Sequence, residues 1–416
     1  MDVWYLKKNE GKKFFNGHPW VFANELCHGF QTTKPGTSVE LRDQENQFLA
    51  SGYGNPHSLI AFRELSRTEN PITPEHVHRK FFDAIAFRKK LGLSEYSHRL
   101  CFGESDGLAG LIVDLYILFE TGKRIYVLQS HTAGADQLIS CVLQAIDSLE
   151  GSHDYGVILK NNAASRFLEG LKKEESKILQ NIEDITLEHV KIKTPSHDKG
   201  IWVDLMTGQK TGFFLDQSFN IQLVSQILEK SALMQLSKVK ILDLFSYAGQ
   251  WGAALGSIFP SQNVTVCATD ASEPALNFAK ENLNIYNLAN KIIKCDLLKD
   301  FASLEQAAFD VVICDPPALI KSRKHIFTGQ KGYLKLNTDA LKCVKSGGFF
   351  ITCSCSRLLS ESDFFEILNH ASIKAKKSIQ WIGRGVQSPD HPILARFPEG
   401  QYLKCWIGVV SMSNYY

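Results

Sequence analysis

The sequence lacks every pattern that would tie its ten cysteines to a metal or to one another. No two stand at a CxxC spacing, so zinc or another metal site is not expected. Their scatter points to a reducing cytoplasm rather than a disulfide framework. Long apolar runs are missing, and Met1-Asp2-Val3-Trp4-Tyr5-Leu6-Lys7-Lys8 has no signal-peptide pattern, so a membrane is not expected among the partners. An excess of one charge is missing too. Lys and Arg total 46 against 44 Asp and Glu, a formal net charge of +2, so any nucleic-acid binding must come from a local patch. Internal repeats and low-complexity segments are absent. What remains is a chain of 416 residues, 44% apolar and 22% charged, with the composition of a globular protein of two or three domains.

Three regions differ in pattern. Residues 1–70 carry short strand-like pieces, Ser38 to Leu41 and Phe48 to Gly52, broken by Pro35-Gly36, Asp43 to Asn46 and Gly54-Asn55-Pro56, which predicts a small β-barrel. Lys7, Lys8, Lys12 and Lys13 lead into His18-Pro19-Trp20-Val21-Phe22. This reads either as a nucleic-acid patch interleaved with aromatics or as a charged turn beside a core Trp. Thr68-Glu69-Asn70-Pro71 predicts a linker.

Residues 71–194 predict a small α+β domain. It has helices from Glu75 to about Lys90 and Gln137 to Leu149, and strands at Leu111 to Val113, Val157 to Leu159 and Ile185 to Ile192. Its glycine-rich loop Gly103 to Gly110 fits a ligand contact and a simple turn into a strand equally well. From residue 195 to 416 strands and helices alternate, which predicts a doubly wound α/β sheet. Strands are expected at Val239 to Phe245, Val264 to Thr269, Lys291 to Cys295, Phe309 to Cys314 and Gly348 to Cys353. Helices are expected at Glu273 to Tyr286, Gly332 to Val344 and from Ser360 onward, where Ser360-Glu361-Ser362-Asp363 resembles a capping box.

Chemistry collects at the strand ends, where open α/β sheets bind ligands. Leu242 to Gly252 is a strand, a small-residue turn and a helix start. Asp270 follows Gly249 at the spacing of an acid that accepts from ribose hydroxyls, and Asp296 ends the next strand, where it can accept from an adenine amino group. These two acids favour an adenosine-containing cofactor. The next strand ends in Asp315-Pro316-Pro317, whose prolines hold a stiff backbone past the sheet. The strand after that ends in Thr352-Cys353-Ser354-Cys355-Ser356. A carboxylate and a thiol beside an adenosine site suggest nucleophilic catalysis with acid assistance.

Over nearly its whole length the chain resembles the RlmI-type bacterial 23S ribosomal RNA cytosine-5 methyltransferases. The stretches that carry the resemblance include His18 to Phe22, Gly103 to Leu108, Lys210-Thr211-Gly212-Phe213-Phe214-Leu215-Asp216-Gln217, Phe245-Ser246-Tyr247, Asp315-Pro316-Pro317, Ser354-Cys355-Ser356, Asp390-His391-Pro392 and Phe397 to Lys404. The resemblance implies a PUA-like RNA-binding domain at 1–70, a middle domain at 71–194 and a Rossmann-like, S-adenosylmethionine-dependent class I methyltransferase domain at 195–416. Aligned on Gly347-Gly348, it implies Cys355 as the nucleophile, with Cys353 as a weaker alternative, and Asp315 as its acid partner.

The resemblance further implies a cofactor site at Asp243, Phe245, Ser246, Tyr247, Gly249, Asp270, Ala271, Asp296 and Leu297, together with Lys210, Thr211, Phe213 and Gln217. RNA is expected at Lys12 and Lys13 and, past the prolines, at Lys321, Arg323, Lys324 and Tyr333. The implied partner is 23S ribosomal RNA or an assembling large subunit, in the cytoplasm, with a homodimer left open. Two positions depart from the family pattern: Ser218, where an arginine is usual, and Gln250, where a glycine is common. Three alternatives stay open at this point. They are methylation of a guanine nitrogen without a thiol, a non-catalytic PUA-type RNA-binding or assembly factor, and a nicotinamide oxidoreductase, which would leave Asp315 and Cys355 without a role.

Overall fold

The computed structural model describes residues 2–69 and 72–412, so residues 70 and 71 of the expected linker lie outside the described residues. The chain forms two compact units. One comprises Met1–Lys193, Asp204–Leu215 and Pro389–Gly400; the other comprises Thr194–Val203, Asp216–Ser388 and Gln401–Tyr416. Two excursions, 204–215 and 389–400, therefore leave the span 195–416 that the sequence suggested as one domain.

In the first unit a five-stranded sheet runs in the order Asp2–Tyr5, Thr37–Arg42, Phe48–Gly54, Phe62–Ser66, Trp20–Val21. Trp4, Leu6, Phe14, Val39, Leu41 and Phe62 form its core. Gly54 is required in its strand, because a Cβ there would stand 2.5 Å from the Trp4 ring. A second sheet, ordered Lys177–Gln180, Tyr155–Leu159, Arg124–Ser130, Leu111–Ile117, His98–Phe102, belongs to the expected α+β region.

Its two helices have readable starts. Thr73 accepts from His76 N–H ahead of Pro74–Lys90, with Pro74 at the first position, and Thr132 accepts from Ala135 N–H ahead of Ala133–Glu150. The second helix thus begins four residues before the expected Gln137. The strand expected at Ile185 to Ile192 is Val190–Thr194 instead.

The loop Gly103 to Gly110, left open on sequence, is structural. Glu104 accepts from Trp20 Nε1 at 2.8 Å and from Arg63 at 3.2 Å, while Asp106 pairs with the buried Arg88 at 2.6 Å. Trp20 also packs on His18 and Phe397, which favours the core-Trp reading of that motif.

The second unit is built on a seven-stranded sheet: β1 Val239–Leu244, β2 Val264–Asp270, β3 Ala289–Lys294, β4 Phe309–Cys314, β5 Val344–Ser354, β6 Lys377–Gly385 and β7 Lys404–Met412. Its order is β3-β2-β1-β4-β5-β7-β6. The first five are parallel, and β7 runs antiparallel to both β5 and β6. Its helices are α1 Ser218–Glu229, α2 Gln250–Ser257, α3 Glu273–Ile285, α4 Ile326–Cys343 and α5 Glu361–Ala375.

Both faces of the central strands are buried, which is why they read as near-continuous apolar runs. Ile241, Val311, Ile313, Ile351 and Cys353 face one core; Leu242, Leu244, Val312, Cys314 and Phe350 face the other. The register Leu244↔Cys314↔Thr352 sets the carboxyl ends of β1, β4 and β5 level. No helix among the described residues is long and apolar enough to cross a membrane.

Candidate active site

The turn after β1 is held in an uncommon backbone path. Phe245, Tyr247 and Gly249 have φ of 62°, 48° and 75°, so two side-chain-bearing residues sit in the left-handed region, at a cost of about 1 kcal/mol each. Backbone bonds enforce it: Ser246 N–H donates to Thr269 O at 2.9 Å and Gly249 N–H to Ser246 O at 2.7 Å. Asp270, the last residue of β2, accepts from Tyr247 N–H at 3.0 Å and from Ser272 N–H at 2.9 Å. The expected ribose acid therefore also pins the turn.

Under this turn lie buried polar atoms without partners. Asp243 Oδ2 accepts from Gly252 N–H at 2.9 Å, but Asp243 Oδ1, Ser246 Oγ and Gln250 Oε1 have none. Burial pushes the Asp243 carboxyl up to about 8, with the charges of Asp315 and Asp270 adding to it. A buried carboxylate oxygen without a donor is costly unless a ligand supplies one. Gln250, one of the two departures, is itself buried. Its backbone carbonyl accepts from His197 Nε2 at 2.9 Å, so this fully buried imidazole is the Nε2–H tautomer, and burial pushes the imidazole pKa down to about 4.

Farther along the strand ends, Asp296 is half-exposed and ion-paired to Lys299 at 2.9 Å, which holds it below the usual carboxylate range. Leu297 is buried and, with Leu319, His325, Thr328, Lys335 and Leu336, lines a cavity of about 240 Å³.

The thiol corner lies beyond β4 and β5. Asp315 Oδ2 accepts from Gln217 Nε2 at 2.8 Å and from Trp251 Nε1 at 3.1 Å. Asn220 Nδ2 donates to Gln217 Oε1 at 2.7 Å, which orients the carboxamide so that its NH₂ faces Asp315. Cys353 is fully buried in the core against Cys405, and burial pushes its thiol well up. Cys355 is half-exposed, one residue past β5, with Sγ 3.9 Å from Pro316 O. Beside it Ser356 Oγ accepts from Ile320 N–H at 3.1 Å and lies 2.9 Å from Tyr333 Oη, tying the segment after the prolines to the thiol loop.

Of the residues named on sequence, Asp243, Phe245, Ser246, Tyr247, Gly249, Asp270, Ala271, Asp296, Leu297, Asp315 and Cys355 belong to the second unit, as does Gln217. Lys210, Thr211 and Phe213 belong to the first unit, where the buried Thr211 hydroxyl donates to Asp114 at 2.5 Å. Lys12 and Lys13 are exposed on a short helix; Lys321, Arg323 and Lys324 in the second unit are also exposed.

Tyr333 is a correction. It is fully buried against Phe364 with its hydroxyl on Ser356, so it is not an RNA-facing residue. An aromatic in that neighbourhood that does face outward is Phe327, 68% exposed with Lys331 over its ring at 4.2 Å. Sequence reasoning also missed Trp251, Asn220 and Lys404, whose Nζ donates to Ser356 O at 2.8 Å, as members of the thiol corner. Among the described residues, no cluster of His, Cys, Asp or Glu could hold a metal ion.

Comparison with known proteins gives this geometry a lineage. Residues 5–67 match the PUA-like domain model and residues 213–380 the methyltransferase small domain model. Ribosomal RNA large subunit methyltransferase I of Salmonella arizonae is 28% identical over 410 residues, covering 96% of this chain and 95% of its own; the Klebsiella pneumoniae protein of that name is 28% identical over 411 residues, covering 96% of each. This chain is a homologue of these proteins. A solved Streptococcus mutans structure, described as a SAM-dependent methyltransferase, has 18% identity and a TM-score of 0.76 over 98% of this chain and 100% of its own. Another solved structure, described as a methyltransferase complexed with SAH, gives 0.77 at the same identity and coverage. At that identity the likeness shows a shared fold, and it extends across both units.

Proposed function

We propose that this protein methylates C5 of a cytosine in 23S ribosomal RNA, using S-adenosylmethionine and a covalent adduct between Cys355 and C6 of the base. The observation that carries the reading is the contrast between two thiols two residues apart. Cys353 is sealed in the core, whereas Cys355 is accessible, beyond the sheet and beside Pro316. The homologous relatives named for large-subunit ribosomal RNA supply the substrate class.

The residues present fit the cofactor. The donorless Oδ1 of Asp243 and the unpartnered Ser246 Oγ and Gln250 Oε1 form a polar cradle suited to a methionine amino group. Asp270 and Ala271 would receive the ribose, Asp296 the adenine amino group, and Leu297 the ring edge. When bound, S-adenosylmethionine supplies an electrophilic methyl group on a sulfonium.

The chain's own residues do the rest. Cytosine C5 is a poor nucleophile until a thiolate adds at C6 and the ring electrons shift toward C5 and N3. A free cysteine has a pKa of about 8.5, so an unassisted thiol is a weak nucleophile at neutral pH. Asp315, oriented by Gln217 and Trp251, assists by hydrogen bonding to or protonating N3 as charge develops there. After C5 has taken the methyl group, a base removes the C5 proton, the electron pair re-forms the C5–C6 double bond and the thiolate leaves.

The target base must also leave its stack, at a cost of a few kcal/mol if it is paired. Stacking on an exposed aromatic returns roughly 1 to 3 kcal/mol. Phe327, flanked by Arg323, Lys324 and Lys331, is suited to that contact, while the PUA-like domain holds backbone through Lys12 and Lys13.

The test is a trap. RNA bearing 5-fluorocytosine has no C5 proton to lose, so with S-adenosylmethionine it should remain bonded to the peptide containing Cys355. An RNA adduct on a different cysteine, or none while a guanine nitrogen is methylated, would overturn the reading.

A further inference from the structure

The carboxyl end of β5 is laid against the start of β7, with Ser354 opposite Lys404. Lys404 is 5% exposed, and its Nζ donates to Ser356 O at 2.8 Å and to Tyr402 O at 3.1 Å. An ammonium therefore clamps the peptide that directly follows Cys355 onto the neighbouring strand. Two backbone carbonyls can be satisfied without a charge, and this charge is held at a cost: burial pushes the Lys404 pKa down to about 8. The groups whose charges act against that are Glu361, in the first turn of α5, and Cys355 itself.

A low pKa alone assigns nothing. Lys160, likewise pushed down to about 8 by burial, holds Leu205 O and Gly208 O, and its field partner is Asp204. What separates Lys404 is its place: its Nζ holds the carbonyl of the residue directly after Cys355. Around Cys355 stand Tyr333, whose phenol burial pushes up to about 12 with Cys355 adding to it, Asp315 at the end of β4, and Lys404. Of these groups Lys404 is the buried cation; Arg357, two residues past Cys355, is also positive but exposed to solvent.

We propose that Lys404 is a positioning residue for Cys355: it fixes the peptide beyond the thiol through Ser356 O, and its ammonium favours the thiolate. This rests on Cys355 being the nucleophile, and it deepens that reading by naming what activates the nucleophile. The charge is compact and permanent below its own titration, so the effect is present at neutral pH and fades as Lys404 loses its proton.

The experiment is iodoacetamide alkylation of the full chain across pH, with the Cys355 peptide followed by mass spectrometry. It needs neither RNA nor cofactor, so a failure of the methylation reading leaves the result intact. Lys404→Met and Lys404→Gln should move the pH of half-maximal Cys355 alkylation upward by about one unit, the scale of losing a nearby opposite charge. Lys404→Arg should restore it. A clamp that acted only on structure would change the limiting rate at high pH and leave the midpoint in place, and that outcome overturns the proposal. Should the neutral variants fail to fold, the wild-type curve decides. Coupling to Lys404 makes it broader than a one-proton titration, and a simple one-proton curve overturns the assignment.

Discussion

The Gln217 carboxamide donates to Oδ2 of Asp315 at 2.8 Å, although the two residues stand 98 apart in the chain. Trp251 Nε1–H lands on the same oxygen at 3.1 Å, so two donors from separate elements fix one carboxylate beside the thiol.

If Asp315 assists at N3, loosening it should slow chemistry rather than binding. Trp251→Phe keeps an aromatic ring in the core and deletes one donor. A hydrogen bond to a charged group contributes about 1.5 to 3 kcal/mol, so kcat should fall by about tenfold or more. Single-turnover rates would show this, with S-adenosylmethionine affinity by calorimetry little changed.

The two cysteines should separate cleanly on substitution. Cys353→Ala removes a buried sulfur from the core and should lower stability by about 1 kcal/mol, the scale of one lost methyl-sized group, while methylation persists. Cys355→Ala should leave stability within about 0.5 kcal/mol and abolish methylation. Denaturant titration beside a methyl-transfer assay checks both.

Asp243 gives the ligand-free protein a pH signature. Its folded pKa is raised from 3.8 to about 8, so the folded chain holds this proton more tightly than the unfolded chain does. The stability it contributes is present below pH 3.8 and is lost as pH rises through about 8. Asp243→Asn does not titrate. It should match the wild type near pH 4 and exceed it by at least about 1 kcal/mol at pH 8, one pKa unit being about 1.4 kcal/mol. Calorimetric titration should show weaker S-adenosylmethionine binding in the same variant, because the ligand amine loses its counter-charge.

Lys12 and Lys13 test the placement of RNA. Lys13 pairs with Glu399 at 3.8 Å with its side chain 66% exposed, so neutralising it should barely change stability. Lys12→Gln with Lys13→Gln should weaken RNA binding and reduce the salt slope by about 1.4, at roughly 0.7 per contact for single strands. Unchanged affinity across salt would remove these lysines from the interface.

The sequence made the sheet visible where burial on both faces left apolar runs. Phe309 to Cys314 was placed to the residue, and Ser360 caps its helix through Asp363 N–H as the box suggested. Strands β6 and β7 escaped notice. β6 alternates between half-buried and exposed positions at the sheet edge and contains Gly383, and its partner lies later in the chain, so no local pattern marks the pair.

Tyr333 was misread for a different reason. Helix α4 begins at Ile326, before the expected Gly332, and the spacing Gly329, Tyr333, Leu336, Ala340 then turns that ring inward. The bonds Trp251–Asp315 and Lys404–Ser356 join residues 64 and 48 apart. Only the folded register brings them together.

Cytosine-C5 methylation through Cys355 is tested most directly by mass-spectrometric mapping of modified nucleosides in 23S ribosomal RNA from cells with the protein, without it, and with Cys355→Ala. One 5-methylcytosine should be lost in both the deletion and the variant. Loss of a methylguanine in the deletion, restored in full by the Cys355→Ala protein, would contradict it.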